Sequence, residues 1–201
     1  MDTDILDLPY LTVDGYHRLV DAGAFDGMRV ELLDGRVVPM SPMNPAHASA
    51  LTRLSRLFDA LFDESDAAVR QQCPVTLEET WEPHPDLVIA APGEWEQAHP
   101  RAEDIYLIVE VSDSTLRGDL VRKVPRYARN GIMEVWVVDL TTNVVHVHRD
   151  PDRSHQYTAE FDLKLDDNIG IVAFPEVLIS VVKLFPASRA GSPEIAPSGL
   201  R

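Results

Sequence analysis

Asp86, Glu110 and Lys123 are an acid, an acid and an amine, set in an order that suits holding a divalent cation beside a phosphate. Asp86 opens the apolar run "DLVIA" and Glu110 nearly closes "IYLIVEVS". Alternate residues of a strand face opposite sides. Ile105, Leu107, Val109 and Val111 then share one face, leaving Tyr106, Ile108, Glu110 and Ser112 on the other. An ionised glutamate within a buried sheet is costly unless it is paired, hydrogen-bonded or bound to a metal. The plainer reading puts Glu110 at the strand's carboxyl end, near solvent. If the two strands are neighbours with a suitable stagger, both carboxylates point into one cleft at the sheet edge. Oxygen ligands with positions left for water suit Mg²⁺ or Mn²⁺. Lys123, on a helix leaving the Glu110 strand, has a stem long enough to return its ammonium to that cleft and stabilise charge on a reacting phosphate. Tyr127 lies four residues on, on the same helical face. Taken singly, Asp86 is a turn residue after Pro85 and Lys123 a solvated helix charge.

The elements that must position these groups are readable in outline. "LTVDGYHRLVDAG" predicts a short helix with Thr12 as its cap and Gly23 past its end. Asp34-Gly35 inside "VELLDGRVVPM" predicts a hairpin. In "NPAHASALTRLSRLFDALFDES", Asn44 caps, Pro45 takes the first helical position, and Leu51, Leu54, Phe58 and Leu61 recur at helical spacing. Five strands are expected in "VRQQCPVTLE", "DLVIAAP", "IYLIVEVS", "MEVWVVDL" and "VVHVHR". "RGDLVRKVPRYARNG" predicts a helix between the third and fourth of them, ended by Gly131. That makes a crossover unit and at least one parallel pair. Pro125 requires this helix either to begin close to Arg122 or to kink.

Composition bounds the rest. The 201 residues, 45% hydrophobic, suffice for one core, so a single domain over 1–185 is expected. From Pro186 onward the chain is rich in Pro, Ser, Ala and Gly and is expected to be a disordered tail. Lys and Arg number 18 against 33 Asp and Glu, a net charge of -15 that excludes a broad basic surface for nucleic acid. Cys73 is the only cysteine, so neither an intramolecular disulfide nor a cysteine-cluster zinc site is expected, and a reducing cytoplasm fits. "MDTDILDLPY" has no secretory pattern. "IVAFPEVLISVVKLF" is broken by Pro175, Glu176 and Lys183 and falls short of a membrane span. The same segment is more apolar than a small sheet's edge needs, which points to a homodimer contact. The absence of a phosphate loop, a serine elbow and a Cys-His pair excludes kinases, NTPases, serine hydrolases and cysteine proteases.

"PDLVIA", "LIVEVSDSTLRGDLVRKVPRYARNGIMEVWVVDL" and "VELLDGRVVPMSPMNPAH" together resemble the Uma2 family (DUF820) of the PD-(D/E)XK, restriction-endonuclease-like superfamily, from about Val13 to Arg149. The resemblance implies an α/β fold, a restriction-endonuclease-like core with a central four-stranded mixed sheet flanked by helices, preceded by a helix and hairpin. It implies Asp86 and Glu110 as the acids that bind Mg²⁺ or Mn²⁺, with Glu31 as a further amino-terminal acid. The superfamily's usual lysine, two residues after the second acid, would fall at Ser112, and Lys123 stands in as a migrated lysine. The implied activity is Mg²⁺-dependent endonucleolytic hydrolysis of DNA by a homodimer, on DNA held weakly and with the metal's help. The alternative is a catalytically inactive nuclease-fold protein that binds or regulates.

His47 and Tyr127 are auxiliary candidates beside Ser112. Glu31 reads equally as an exposed hairpin residue, and His47 as a first-turn residue touching the loop after "SPM". His146 and His148 share a strand face and are within reach of one zinc ion, with Asp150 or His155 as a third ligand. An exposed strand with Val145 and Val147 turned inward explains them as well. Glu134 and Asp139 are expected to mark the ends of "VWVV".

Overall fold

Asp34 and Gly35 both have positive φ, 52° and 69°, the pair of values a type I′ turn requires and whose twist matches two antiparallel strands. That turn joins β1 (Val30–Leu33) to β2 (Arg36–Pro39). The structure is a computed structural model that describes residues 10–113 and 118–186. The expected tail from Pro186 lies outside the described residues apart from Pro186 itself.

Before the hairpin runs α1 (Val13–Asp21), where the Thr12 hydroxyl accepts the Gly15 N–H and Gly23 follows with φ 74°. After it comes α2 (Pro45–Asp59), capped by Asn44, with Leu51, Leu54 and Phe58 buried along one stripe. Six strands form the central sheet: β3 (Ala68–Gln71), β4 (Leu87–Ala90), β5 (Ile105–Ser112), β6 (Glu134–Asp139), β7 (Val144–Pro151) and β8 (Tyr157–Leu163), side by side in chain order. β5 and β6 are parallel and every other pair is antiparallel. α3 (Val124–Arg129) lies in the crossover between the parallel pair. A hairpin of β9 (Asn168–Ile171) and β10 (Phe174–Ser180) completes the described elements.

Two apolar layers sandwich the sheet. α2 and the β9–β10 hairpin cover the face that carries Leu87, Ile89, Leu107, Val109 and Trp136. α3, Trp81 and Val75 cover the face that carries Val88, Ile108, Val135 and Val137.

The structure corrects several expectations. The sheet has six strands rather than four. β8 escaped notice because it is an edge strand in which Glu160 and Asp162, flanking Phe161, interrupt any apolar run. The first predicted strand stops at Gln71, where Gln72 enters a positive φ of 49° ahead of Pro74. Alternation along β5 holds from Leu107 onward only, because Ile89 faces Leu107 while Ala90 faces Ile105, leaving Tyr106 as the extra residue of a bulge. Ile105 therefore joins the α3 layer, opposite to Leu107. Pro125 is accommodated without a break: a widened helical turn, Asp119–Lys123, leads into α3. Such a turn relieves the clash between the proline ring and the carbonyl four residues earlier. In "IVAFPEVLISVVKLF", Ile171, Ile179, Val181, Leu184 and Phe185 are buried in the chain's own core, so most of its apolar character is used at home.

Candidate metal centre

The β4–β5 register brings the two acids together. Leu87 faces Val109, so Asp86, one residue before β4, falls opposite Glu110. Directly opposed residues of an antiparallel pair share a face, which here is the α3 side. Asp86 is 8% exposed and Glu110 2%.

Asp86 is held from three directions. Its Oδ2 accepts the Val111 N–H at 2.8 Å, and its Oδ1 lies 2.9 Å from His47 Nε2 and 3.4 Å from Gln72 Nε2. His47 arrives because Asn44 caps α2 by accepting the His47 N–H, while the Asn44 amide donates to Asp113 at 2.8 Å just beyond β5. The start of α2 is thus tied to the end of the Glu110 strand. Gln72 is placed by its positive φ, by its own N–H on the Asp86 carbonyl, and by Arg29, which donates to its Oε1.

Glu110 receives the two groups from the crossover helix. Lys123 Nζ lies 3.1 Å from both carboxylate oxygens, and the Tyr127 hydroxyl donates to Oε1 at 2.7 Å. Residues four apart share a helical face, and here that face converges on one carboxylate. Tyr127 is fully buried, with the Trp81 ring against it at 5.3 Å. A charged residue thus sits in the sheet because an ammonium and a phenol meet it there.

Glu31 is buried rather than exposed on the hairpin: its Oε2 accepts the His84 N–H at 3.1 Å, two residues before Asp86. Ser112 is fully buried, and its carbonyl accepts the Leu140 N–H. The His84 imidazole is pushed down to about 4, first by burial, with Glu82 opposing and His99, Arg29 and Lys123 adding to it. His146 and His148 do not lie on an exposed strand. They are half-buried and buried, and each presents Nδ1 to a carboxylate of β8, Asp162 at 2.7 Å and Glu160 at 2.9 Å. Glu134 is more than a strand end: it is fully buried and bound by Trp136, Arg149 and the Val172 N–H. Burial pushes its carboxyl up, against the Val172 hydrogen bond and the Arg149 charge. Asp139 closes the turn after β6 through Thr141 and Thr142.

Sequence reasoning missed Gln72 and ranked His47 low. The only available signal for Gln72 was its place at the end of a strand before Cys73-Pro74. The donor set fits Mg²⁺ or Mn²⁺: two facing carboxylates at one end of a sheet, one of which already holds a cation, the Lys123 ammonium.

A profile of the Uma2 family, described as "Putative restriction endonuclease", matches residues 13–181. A search of curated proteins returns no match. Among solved structures, a crystal structure described as that of "a putative nuclease belonging to DUF820" from Anabaena variabilis is similar, with a TM-score of 0.68, 14% identity, and coverage of 90% of this chain and 99% of that one. That likeness is one of fold. Among the described residues, no helix is long and apolar enough to cross a membrane.

Proposed function

The chain belongs to the Uma2 family, and from that premise we propose that it is a Mg²⁺-dependent endonuclease that hydrolyses DNA phosphodiester bonds at Asp86, Glu110 and Lys123. The observation that carries this reading is the convergence of opposed acids from β4 and β5 with an amine and a phenol from the crossover. The reading treats 1–185 as one nuclease-like domain, working in the cytoplasm as a homodimer. The printed descriptions of the family and of its structural relative support the reaction class.

Asp86 and Glu110 are the residues that would hold the ion. Bound Mg²⁺ or Mn²⁺ supplies Lewis-acid charge to a phosphate oxygen and lowers the pKa of coordinated water. The chain does the rest. The Val111 N–H and His47 fix the orientation of Asp86. Tyr127 fixes Glu110 through a hydrogen bond separate from the one Lys123 makes. Lys123, beside Glu110, would put positive charge next to the phosphate as negative charge builds on its oxygens. Hydrolysis adds water at phosphorus, breaks one P–O ester bond and leaves a phosphomonoester and a hydroxyl. Glu31 acts at one remove, holding the His84 backbone that leads to Asp86.

A second reading, a nuclease fold retained for binding or regulation, draws on the net charge of -15 and on the Lys123 ammonium already paired with Glu110. Single-turnover cleavage of supercoiled plasmid and single-stranded DNA in Mn²⁺ separates the two. The nuclease reading expects cleavage by the wild type and a rate roughly a hundredfold lower for Lys123→Ala, the usual scale for one electrostatic donor. No cleavage of any substrate by the wild type would favour the second reading.

A further inference from the structure

A second cluster of ligand-type side chains lies outside these groups. His17 on α1, Glu82 in the segment paired with β1, and His99 in the loop before β5 each bring one ligand atom within 4.8 Å of the others. His17 Nε2 is 2.6 Å from Glu82 Oε1, and the Thr76 hydroxyl donates to Oε2 at 2.7 Å. Glu82 is 1% exposed, yet among the described residues no lysine or arginine forms an ion pair with it. His99 Nδ1 is buried without a hydrogen-bond partner. A carboxylate buried with an imidazole and a hydroxyl as its described side-chain partners, near an imidazole nitrogen buried without one, leaves polar groups poorly compensated. A single cation would satisfy both.

From this geometry we infer that His17, Glu82 and His99 form a Zn²⁺ site distinct from the Asp86–Glu110 pair. Two imidazoles and one carboxylate select a borderline transition metal, whereas Mg²⁺ takes oxygen ligands. Around a tetrahedral zinc, ligand atoms stand about 3.3 Å apart, so the outermost pair must close by at most roughly 1.5 Å. His17 has the freedom for it, since its side chain is 45% exposed at the surface of α1. Thr76 already orients the carboxylate as an outer partner should. Three protein ligands leave a fourth position open to solvent beside His17. The bound ion clamps α1 and the loop before β5 onto the segment leading to Asp86, so its presence stiffens the approach to the first centre.

The test titrates Zn²⁺ alone into metal-free full-length protein, using calorimetry and competition with a chromophoric chelator, and records the visible spectrum of the Co²⁺ form. The comparison set is wild type, His17→Asn, His99→Asn and the Asp86→Asn, Glu110→Gln double variant. His17→Asn changes a half-exposed side chain and keeps the fold, which circular dichroism verifies, so it remains informative even where His99→Asn misfolds. One equivalent of Zn²⁺ bound by the wild type and the double variant alike, with a tetrahedral Co²⁺ spectrum and at least tenfold weaker binding for the histidine variants, is the expected result. Equal affinity in wild type and His17→Asn would overturn the assignment. So would loss of Zn²⁺ binding in the double variant, which would place the ion at the Asp86–Glu110 centre.

Discussion

Replacing Lys123 by methionine keeps the alkyl stem and removes the charge. Glu110 has a side chain only 3% exposed, against 21% for Lys123. The Tyr127 hydrogen bond persists without the ammonium but supplies no positive charge. Breaking a fully buried ion pair from one side costs about 3–5 kcal/mol. The partial exposure of Lys123 lets water in and brings the expectation to roughly 2–3 kcal/mol. Adding Glu110→Gln to the methionine variant removes the stranded charge, so the double variant should return to within about 1 kcal/mol of wild type. The same geometry fixes the response to metal. The ammonium sits on both Glu110 oxygens and competes with any divalent cation for them. A unit charge and a divalent ion about 4 Å apart at an effective dielectric near 20 repel by about 8 kcal/mol. Lys123 escapes most of that by swinging out, so about a sixth of it, roughly a tenfold gain in Mn²⁺ affinity, is expected for Lys123→Met. Urea melts with and without Mn²⁺, together with calorimetry on the three proteins, make the measurement. A methionine variant with wild-type stability and unchanged Mn²⁺ affinity would refute the reasoning, because Glu110 would then owe its compensation to something else.

The His84 imidazole gives a pH dependence. Its folded value of about 4 lies below the ordinary 6.5, so between the two the unfolded chain binds a proton that the native chain does not. Stability is then complete above about pH 6.5 and falls as pH drops toward 4, by up to about 3 kcal/mol; melts across this window should flatten in His84→Gln. Gly35→Ala should cost about 1–3 kcal/mol, since Gly35 has φ 69° and an added Cβ would stand 2.5 Å from the Tyr10 Cβ; an unchanged Tm would contradict it. Light scattering at micromolar concentration should give the mass of two chains, with Leu178, 71% exposed, among the apolar residues left for the contact; a monomeric mass excludes it. With EDTA present, filter binding should retain little DNA, because a chain of charge -15 has little positive surface without the ion.

The pairing of Asp86 with Glu110 was legible because both acids sit at the ends of apolar runs whose period-two pattern fixes their faces. Once the strands are antiparallel neighbours, little freedom remains. The Lys123–Tyr127 face was legible from helical spacing, and the Asp34-Gly35 turn from its two residues. What escaped was set by tertiary context. Gln72 reaches Asp86 only through a backbone turned to positive φ. Glu82 joins His17 across 65 residues of chain. β8 is held by β7, and Glu160 and Asp162, which look like ordinary surface acids, are the cross-strand partners of His148 and His146. The apolar "IVAFPEVLISVVKLF" signalled burial correctly but not against what, since hydrophobicity does not distinguish the chain's own core from a second copy.

The central claim is that Asp86 and Glu110 share one divalent ion. Anomalous scattering from crystals soaked in Mn²⁺ tests it most directly. The account predicts a single strong peak bridging an Asp86 oxygen and a Glu110 oxygen, with Lys123 Nζ moved off the carboxylate, and no such peak in the Asp86→Asn, Glu110→Gln variant. A wild-type map with no peak there, and Lys123 still seated on both oxygens of Glu110, would contradict it.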